Sequence, residues 1–183
     1  DALFGFAIGF SSPSVAPLIV AIGVSITFVG QAQTIAGLGG TVLRLPIGTL
    51  MDRKGRKFFI LLGGLITLAG FMSYSLAQFW LVLGAGIVLT ALDYKIRGTA
   101  SAAALGDTAS HGKVGRVFSL DLGMTEAAGT VAPLVGGYAA TTLAADPPVI
   151  FATSAVLIVI ALAIVQIGYC PEAVVKDDYS RQP

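Results

Sequence analysis

Hydrophobic positions along this chain do not alternate with polar ones at a period of two. They run together in six long stretches. These lie at about Ala2–Ile22, Ile26–Met51, Phe58–Leu76, Phe79–Leu105, Val117–Thr141 and Val149–Tyr169. A helix that spans a bilayer needs about 20 consecutive apolar residues, and each stretch approaches or exceeds that length. The joints between them are short and polar: Lys54-Gly55-Arg56, Ala77-Gln78, the segment from Asp107 to Arg116, and Asp146-Pro147-Pro148. Runs this long, without strict alternation, argue against strands, and hydrocarbon does not tolerate open sheet edges. The pattern predicts six spanning helices. Pro13 and Pro17 should kink or end the first, and Pro133 should bend the fifth.

Composition agrees with this reading. The chain has 183 residues, 55% of them apolar and 11% charged, with a mean hydropathy of +0.86. Soluble domains carry about 25% charge. So few charges cannot cover a water-facing surface, which makes lipid the expected solvent. A net charge of +1 gives no reason to expect nucleic acid as a partner. The single cysteine, Cys170, cannot form an internal disulfide, and no Cys/His cluster points to a metal. No cofactor is expected. The chain opens at Asp1, without Met, inside an apolar run, and so reads as a fragment cut near the start of helix one. No basic segment precedes that run, so a signal peptide fits poorly. The expected organisation is a six-helix bundle over 1–170 and a polar tail over 171–183.

Charge position matters more than charge total. Arg53, Lys54, Arg56 and Lys57 fall between helices two and three. Lys113 and Arg116 fall between four and five, and Lys176 and Arg181 follow helix six. The joints after helices one, three and five hold no Lys or Arg. Basic residues accumulate on the cytoplasmic side. Both ends of the bundle are therefore expected in the cytoplasm, in an integral protein of the plasma (inner) membrane.

The joint between helices two and three is more ordered than a generic basic hairpin. It reads Gly48-Thr49-Leu50-Met51-Asp52-Arg53-Lys54-Gly55-Arg56-Lys57. This resembles the loop signature of the major facilitator superfamily, G-x-L-x-D-R-x-G-R-K. Gly48 is expected to let two helices approach closely, and Gly55 to turn the chain at positive φ. Asp52 is a candidate cap or charge partner, and the Arg and Lys residues anchor the loop. In helix five, Ala128-Gly-Thr-Val-Ala132-Pro133-Leu-Val-Gly136-Gly137 is similar to the family's G-x-x-x-G-P-x-x-G-G pattern, which is associated with exporters. Ala stands for the first two glycines, and Ala128, Ala132 and Gly136 still form a ridge of small residues. Lys95-Ile-Arg97-Gly98, Asp107 and Gly115-Arg116-Val-Phe118 resemble segments of the family's N-terminal six-helix half.

The resemblance implies one half of a twelve-helix transporter that works by alternating access. Its implied partners are a small-molecule substrate, the lipid bilayer, a second six-helix half and protons. Proton-coupled efflux is the leading expectation, with uptake by the same fold, or a non-transporting scaffold or receptor, as alternatives. The resemblance also implies a cytoplasmic gating cluster of Asp52, Arg53, Arg56, Asp107 and Arg116.

Charges inside the apolar stretches are the candidate working groups. A charge at mid-bilayer costs roughly 2.5–3.5 kcal/mol even on insertion scales, so it usually has a role. Asp93 and Arg97 are four apart on helix four and share a face. Lys95 points elsewhere, towards helix one or two. Arg97 and Glu126 each sit ten residues from a loop charge, about 15 Å deep at 1.5 Å per residue, so they are expected to face each other. Asp121, shallower, is expected to pair with Arg116 or Lys113. Arg44 is expected to snorkel outward. Glu126, with Asp93 and Arg97, is the expected proton-coupling group.

An intramembrane enzyme is not expected. HExxH and GxSxG are absent, and the one histidine, His111, falls in a loop. Gly106 to Val114 resembles a phosphate loop only superficially: five residues separate Gly106 from Gly112, and Val114 stands where Ser or Thr is required.

Overall fold

A computed structural model describes residues 1–109, 113–142 and 146–168. The expected polar tail over 171–183, Cys170 and His111 lie outside the described residues. The described residues form six α-helices: α1 Ala2–Ile22, α2 Ile26–Lys54, α3 Arg56–Ser75, α4 Trp80–Thr108, α5 Val114–Thr142 and α6 Pro147–Gly168. They match the six apolar stretches one for one. Most extend past them by two or three residues, because a helix satisfies its own backbone and need not stop where the apolar run stops.

α1, α3 and α6 are long and apolar enough to cross a membrane, and α2 makes a fourth if its two parts, bent by 53° between Arg44 and Pro46, form one span. α4 fails that criterion because Asp93, Lys95 and Arg97 fall within five residues. α5 is diluted by Gly, Thr and charge.

Successive helices run in opposite directions. One end of the bundle gathers the start of α1, the α2–α3 joint, the end of α4 and the start of α5. It carries Arg53, Lys54, Arg56, Lys57, Lys113 and Arg116 and is called the basic end. Gly55 makes the tightest joint there, at φ 84°. At the opposite end, Gly23 closes α1 at φ 73°, and Ser25 Oγ caps α2 by accepting from Phe28 N–H at 3.3 Å.

α3 packs along α4, and α1 along α5, more extensively than any other pairs. α1 also meets α6, and α2 meets α4. The largest apolar core joins Phe4, Leu18, Phe71, Leu83, Phe151 and Ile158. Lipid is as apolar as leucine, so close packing rather than water exclusion must hold these helices together. The glycines show where. A Cβ on Gly136 would collide with the Phe10 carbonyl of α1, and one on Gly9 would meet Ala132 Cβ at 2.9 Å. Ala132 and Gly136 are buried, so the ridge expected on helix five is the surface that seats α1.

Of the two outcomes expected of the prolines in α1, an end to the helix does not occur. Pro13 and Pro17 neither end it nor break it into two helices. Pro13 cannot donate to the Gly9 carbonyl, and Ser12 Oγ donates to that carbonyl instead, at 2.8 Å. This side-chain substitution lets the helix continue. In α5, Pro133 likewise frees the Gly129 carbonyl, which lies against Gly9. Gly48 departs from expectation too. Nothing lies within 4 Å of a Cβ built there, so no described helix approaches it closely.

Gly136→Leu should therefore force α1 off α5. The expected result is a clear fall in melting temperature of the detergent-solubilised full-length protein. Gly48→Ala, by contrast, should melt within a degree or two of wild type, about the ordinary scatter of surface changes.

Candidate functional site

α4 brings a carboxylate and a guanidinium into the middle of the bundle. Asp93 is 1% exposed and Arg97 7%. Four residues apart, they lie one above the other on the same helical face, and Arg97 Nε donates to Asp93 Oδ1 at 3.2 Å. α3 closes over the pair from the side. A Cβ at Gly63 would lie 2.7 Å from Arg97 Cβ and 2.8 Å from Asp93 Oδ1, so only glycine fits there. One turn along α3, the buried Thr67 borders the same cavity as Asp93, its hydroxyl donating to the Gly63 carbonyl at 3.3 Å.

α1 supplies the other contacts of Arg97. Its guanidinium stacks over the Phe4 ring, 4.3 Å from the centroid, a cation–π geometry that needs no water. Its Nη1 donates to Asp1 Oδ1 at 2.9 Å. Ser101 Oγ donates to the same oxygen at 3.1 Å. Arg97 is thus shared between carboxylates on two helices. The sequence reading singled out Asp93 and Arg97 but missed Asp1, Thr67 and Ser101. Asp1 could have been noticed as an acid abutting an apolar run. Hydroxyls in apolar helices mostly bond their own backbone, so Thr67 and Ser101 carried no signal.

Two cavities meet at this pair. Towards the basic end, about 340 Å³ is enclosed by Asp1, Tyr94, Arg97, Ser101, Phe118, Asp121 and Thr125, with neighbouring small and apolar residues. Towards the other end, about 350 Å³ is enclosed by Ser11, Gln33, Thr67, Tyr74, Thr90, Asp93 and Phe151, among others. Arg97 belongs to the first and Asp93 to the second; Tyr94 borders both. Phe71, Tyr74 and Phe151 form an aromatic wall of the second, with centroids 5.0–6.4 Å apart. Tyr74 Oη and Thr90 Oγ1 are hydrogen-bonded there at 3.2 Å.

Glu126 is not part of this site. It is exposed, and it borders neither cavity. Matching depth put it beside Arg97, but depth says nothing of azimuth. α5 turns Thr125, Ala132 and Gly136 towards α1, and each residue advances the helix by about 100°, which carries Glu126 off that face. Asp121 lies on the Arg97 side of α5. It shares the cavity with Arg97, and it makes no ion pair with Lys113 or Arg116. Lys95 meets α2, where its stem presses on Gly40 and its Nζ lies 5.7 Å from the centre of the Tyr94 ring. Arg44 is exposed, as expected of a snorkelling side chain.

At the basic end the structure assembles part of the expected cluster. Arg56, the first residue of α3, forms an ion pair with Asp107 and donates to the Ala103 carbonyl, both near the end of α4. Lys57 Nζ donates to the Gln166 carbonyl of α6 at 2.9 Å. Asp52, Arg53 and Arg116 are exposed and form no ion pair among the described residues. No group of three metal-ligating side chains occurs among the described residues.

The family model described as Major Facilitator Superfamily matches residues 2–178. The chain belongs to the major facilitator superfamily. It is therefore a membrane transport protein for a solute. A search of curated proteins returned no significant match.

Breaking the central pair from one side should be costly. Arg97→Met leaves Asp93 buried and unpaired, at a cost of about 3–5 kcal/mol. Asp93→Asn combined with Arg97→Met should recover most of that loss. Thermal unfolding of the solubilised full-length protein reads both, and a double variant no more stable than Arg97→Met would count against mutual compensation.

Proposed function

We propose that this chain is one six-helix half of a secondary active transporter that moves a small solute by alternating access, in exchange for protons and in the outward direction. The observation that carries this reading is the Asp93–Arg97 pair, buried between a cavity on each side. A carboxylate so placed can take a proton from one cavity and release it to the other. Burial favours the neutral acid while the guanidinium favours the carboxylate. These opposed effects let a change of conformation decide which form prevails.

Asp93, rather than Glu126, is the coupling carboxylate in this reading. Glu126 stands on the outer face of α5, where a second six-helix half or lipid covers it. The basic end is cytoplasmic by the distribution of Lys and Arg, and the membrane is the plasma (inner) membrane. The outward direction rests on the packing of Ala132, Pro133 and Gly136 against α1, where the exporter-like pattern of α5 falls. The Arg56–Asp107 bridge, with Asp52, Arg53 and Arg116 beside it, is the cytoplasmic gate, closed when the outer cavity is open.

Everted membrane vesicles carrying the full-length protein, loaded with a fluorescent pH dye, test the coupling. Amino acids, sugars, organic cations and organic anions are added in turn, and dissipation of the pH gradient marks a transported solute. Asp93→Asn should abolish that dissipation while leaving exchange of labelled for unlabelled solute. Glu126→Gln should leave dissipation nearly unchanged. Proton movement that survives Asp93→Asn would end the assignment.

The gate has its own expectation. Asp107→Asn should slow solute flux severalfold and leave solute affinity within about twofold, since an exposed ion pair contributes roughly 0–1 kcal/mol. Equal loss of binding and flux would count against gating.

A further inference from the structure

Lys95 sits near the middle of α4 and is half-buried. Among the described residues no carboxylate lies within ion-pair distance of it. A charge at such a depth is costly and is kept only where something answers it. Asp93 and Arg97, two residues to either side, answer each other. About 200° of helical turn separates Lys95 from each of them, and its side chain lies along α2 instead.

α2 is shaped to receive that side chain. Its buried row of Val29, Ala32 and Ala36 continues to Gly40, and a Cβ there would lie 2.6 Å from Lys95 Cγ. Any side chain at this position would push the lysine stem out of the seam between α2 and α4. The seam fixes the stem, and the ammonium emerges where Tyr94 stands, 5.7 Å from its ring centre. Tyr94 is 64% exposed and borders both cavities. A fixed cation is thus delivered to the divide between them.

The charges within the spans are also segregated. The cations without an ion pair among the described residues, Arg44 and Lys95, stand on α2 and α4, and the acids without one, Asp121 and Glu126, stand on α5. α4 packs along α3 and α2 and barely touches α5, so the acids of α5 do not neutralise Lys95.

We propose that Lys95 is the anion-binding group of the transport path, and that the transported solute carries a carboxylate or a phosphate. The inference rests on the reading of this chain as half of a solute transporter and names its substrate class; it makes no use of the proton step at Asp93. The anionic group of the solute pairs with the Lys95 ammonium, and the exposed Tyr94 ring offers apolar surface to the rest of the molecule. Because Tyr94 borders both cavities, the same cation meets the solute from either side.

The purified full-length protein in detergent, at neutral pH, is melted with millimolar benzoate, succinate or glycerol 3-phosphate, and with benzamide, succinamide and glycerol as uncharged counterparts. A ligand that binds only the folded state raises the melting temperature. At least one anion should raise it by several degrees, and its uncharged counterpart should not. Lys95→Gln should weaken the apparent affinity for that anion by about tenfold or more, the least expected for loss of a hydrogen bond to a charged group. Lys95→Arg should restore most of it. Gly40→Ala, which keeps the charge but displaces the stem, should weaken it severalfold, and carries the same comparison should Lys95→Gln fold poorly.

Stabilisation by none of the anions, or by one that binds Lys95→Gln as well as wild type, overturns the proposal. If Lys95 instead pairs with a carboxylate of the second half, Lys95→Gln lowers the melting temperature of the ligand-free protein and no anion raises that of wild type, which overturns it too. Melting needs no pH gradient. Failure here therefore leaves the coupling role of Asp93 standing, and loss of that role in vesicles leaves anion binding at Lys95 standing.

Discussion

A carboxylate and a guanidinium in the middle of an apolar bundle constrain everything near them. Either alone would be driven back to water or stripped of its charge, because a low-dielectric interior penalises an unpaired ion by several kcal/mol. Together they still leave hydrogen-bonding capacity unfilled. The chain meets that demand from three helices. Gly63 brings the α3 backbone up against Asp93 Oδ1 and the Arg97 stem. Phe4 gives the guanidinium an aromatic face, and Asp1 with Ser101 occupies its far end. The glycine on α3, the aromatic on α1 and the hydroxyl on α4 are all consequences of one buried pair.

The same pair divides space. Each of its two residues borders its own cavity, so a small shift of one side chain changes what separates the two. Elsewhere the bundle resists such shifts. α1 and α5 touch through backbone at Gly9, Gly129 and Gly136, and contacts that close leave no room for sliding. Ser12 repairs the helix at Pro13, keeping α1 whole while it carries Phe4 to Arg97.

Much of the fold was legible in advance, because hydrophobic run length and Lys/Arg placement report directly on the solvent each residue meets. The six apolar stretches coincide with the six helices among the described residues, though only three, or four with the bent α2, are apolar enough to span, and the turn falls at Gly55 as expected. Membership of the superfamily followed from the ordered loop after α2. The site was only half legible. Asp93 and Arg97 declared themselves by spacing on one helix. Glu126 does not border the cavity of Arg97, because depth follows from rise per residue but azimuth depends on which face of α5 packs against α1. That face is set by Ala132 and Gly136, and the register of a neighbouring helix is not written in α5. At Gly48 no described residue comes within 4 Å of a built Cβ, since a small residue permits close approach without causing it.

Two ion pairs, chemically alike, end up with opposite energetics. Arg56 and Asp107 sit at the basic end, with side chains 25% and 56% exposed. Water compensates each when they part, so the bond contributes little and breaks easily. Asp93 and Arg97 have no such compensation. Their separation has to be matched by another charge or by a proton. An exposed pair therefore suits a contact that opens and closes freely with the movement of the halves. A buried pair suits a contact whose opening must be tied to something else.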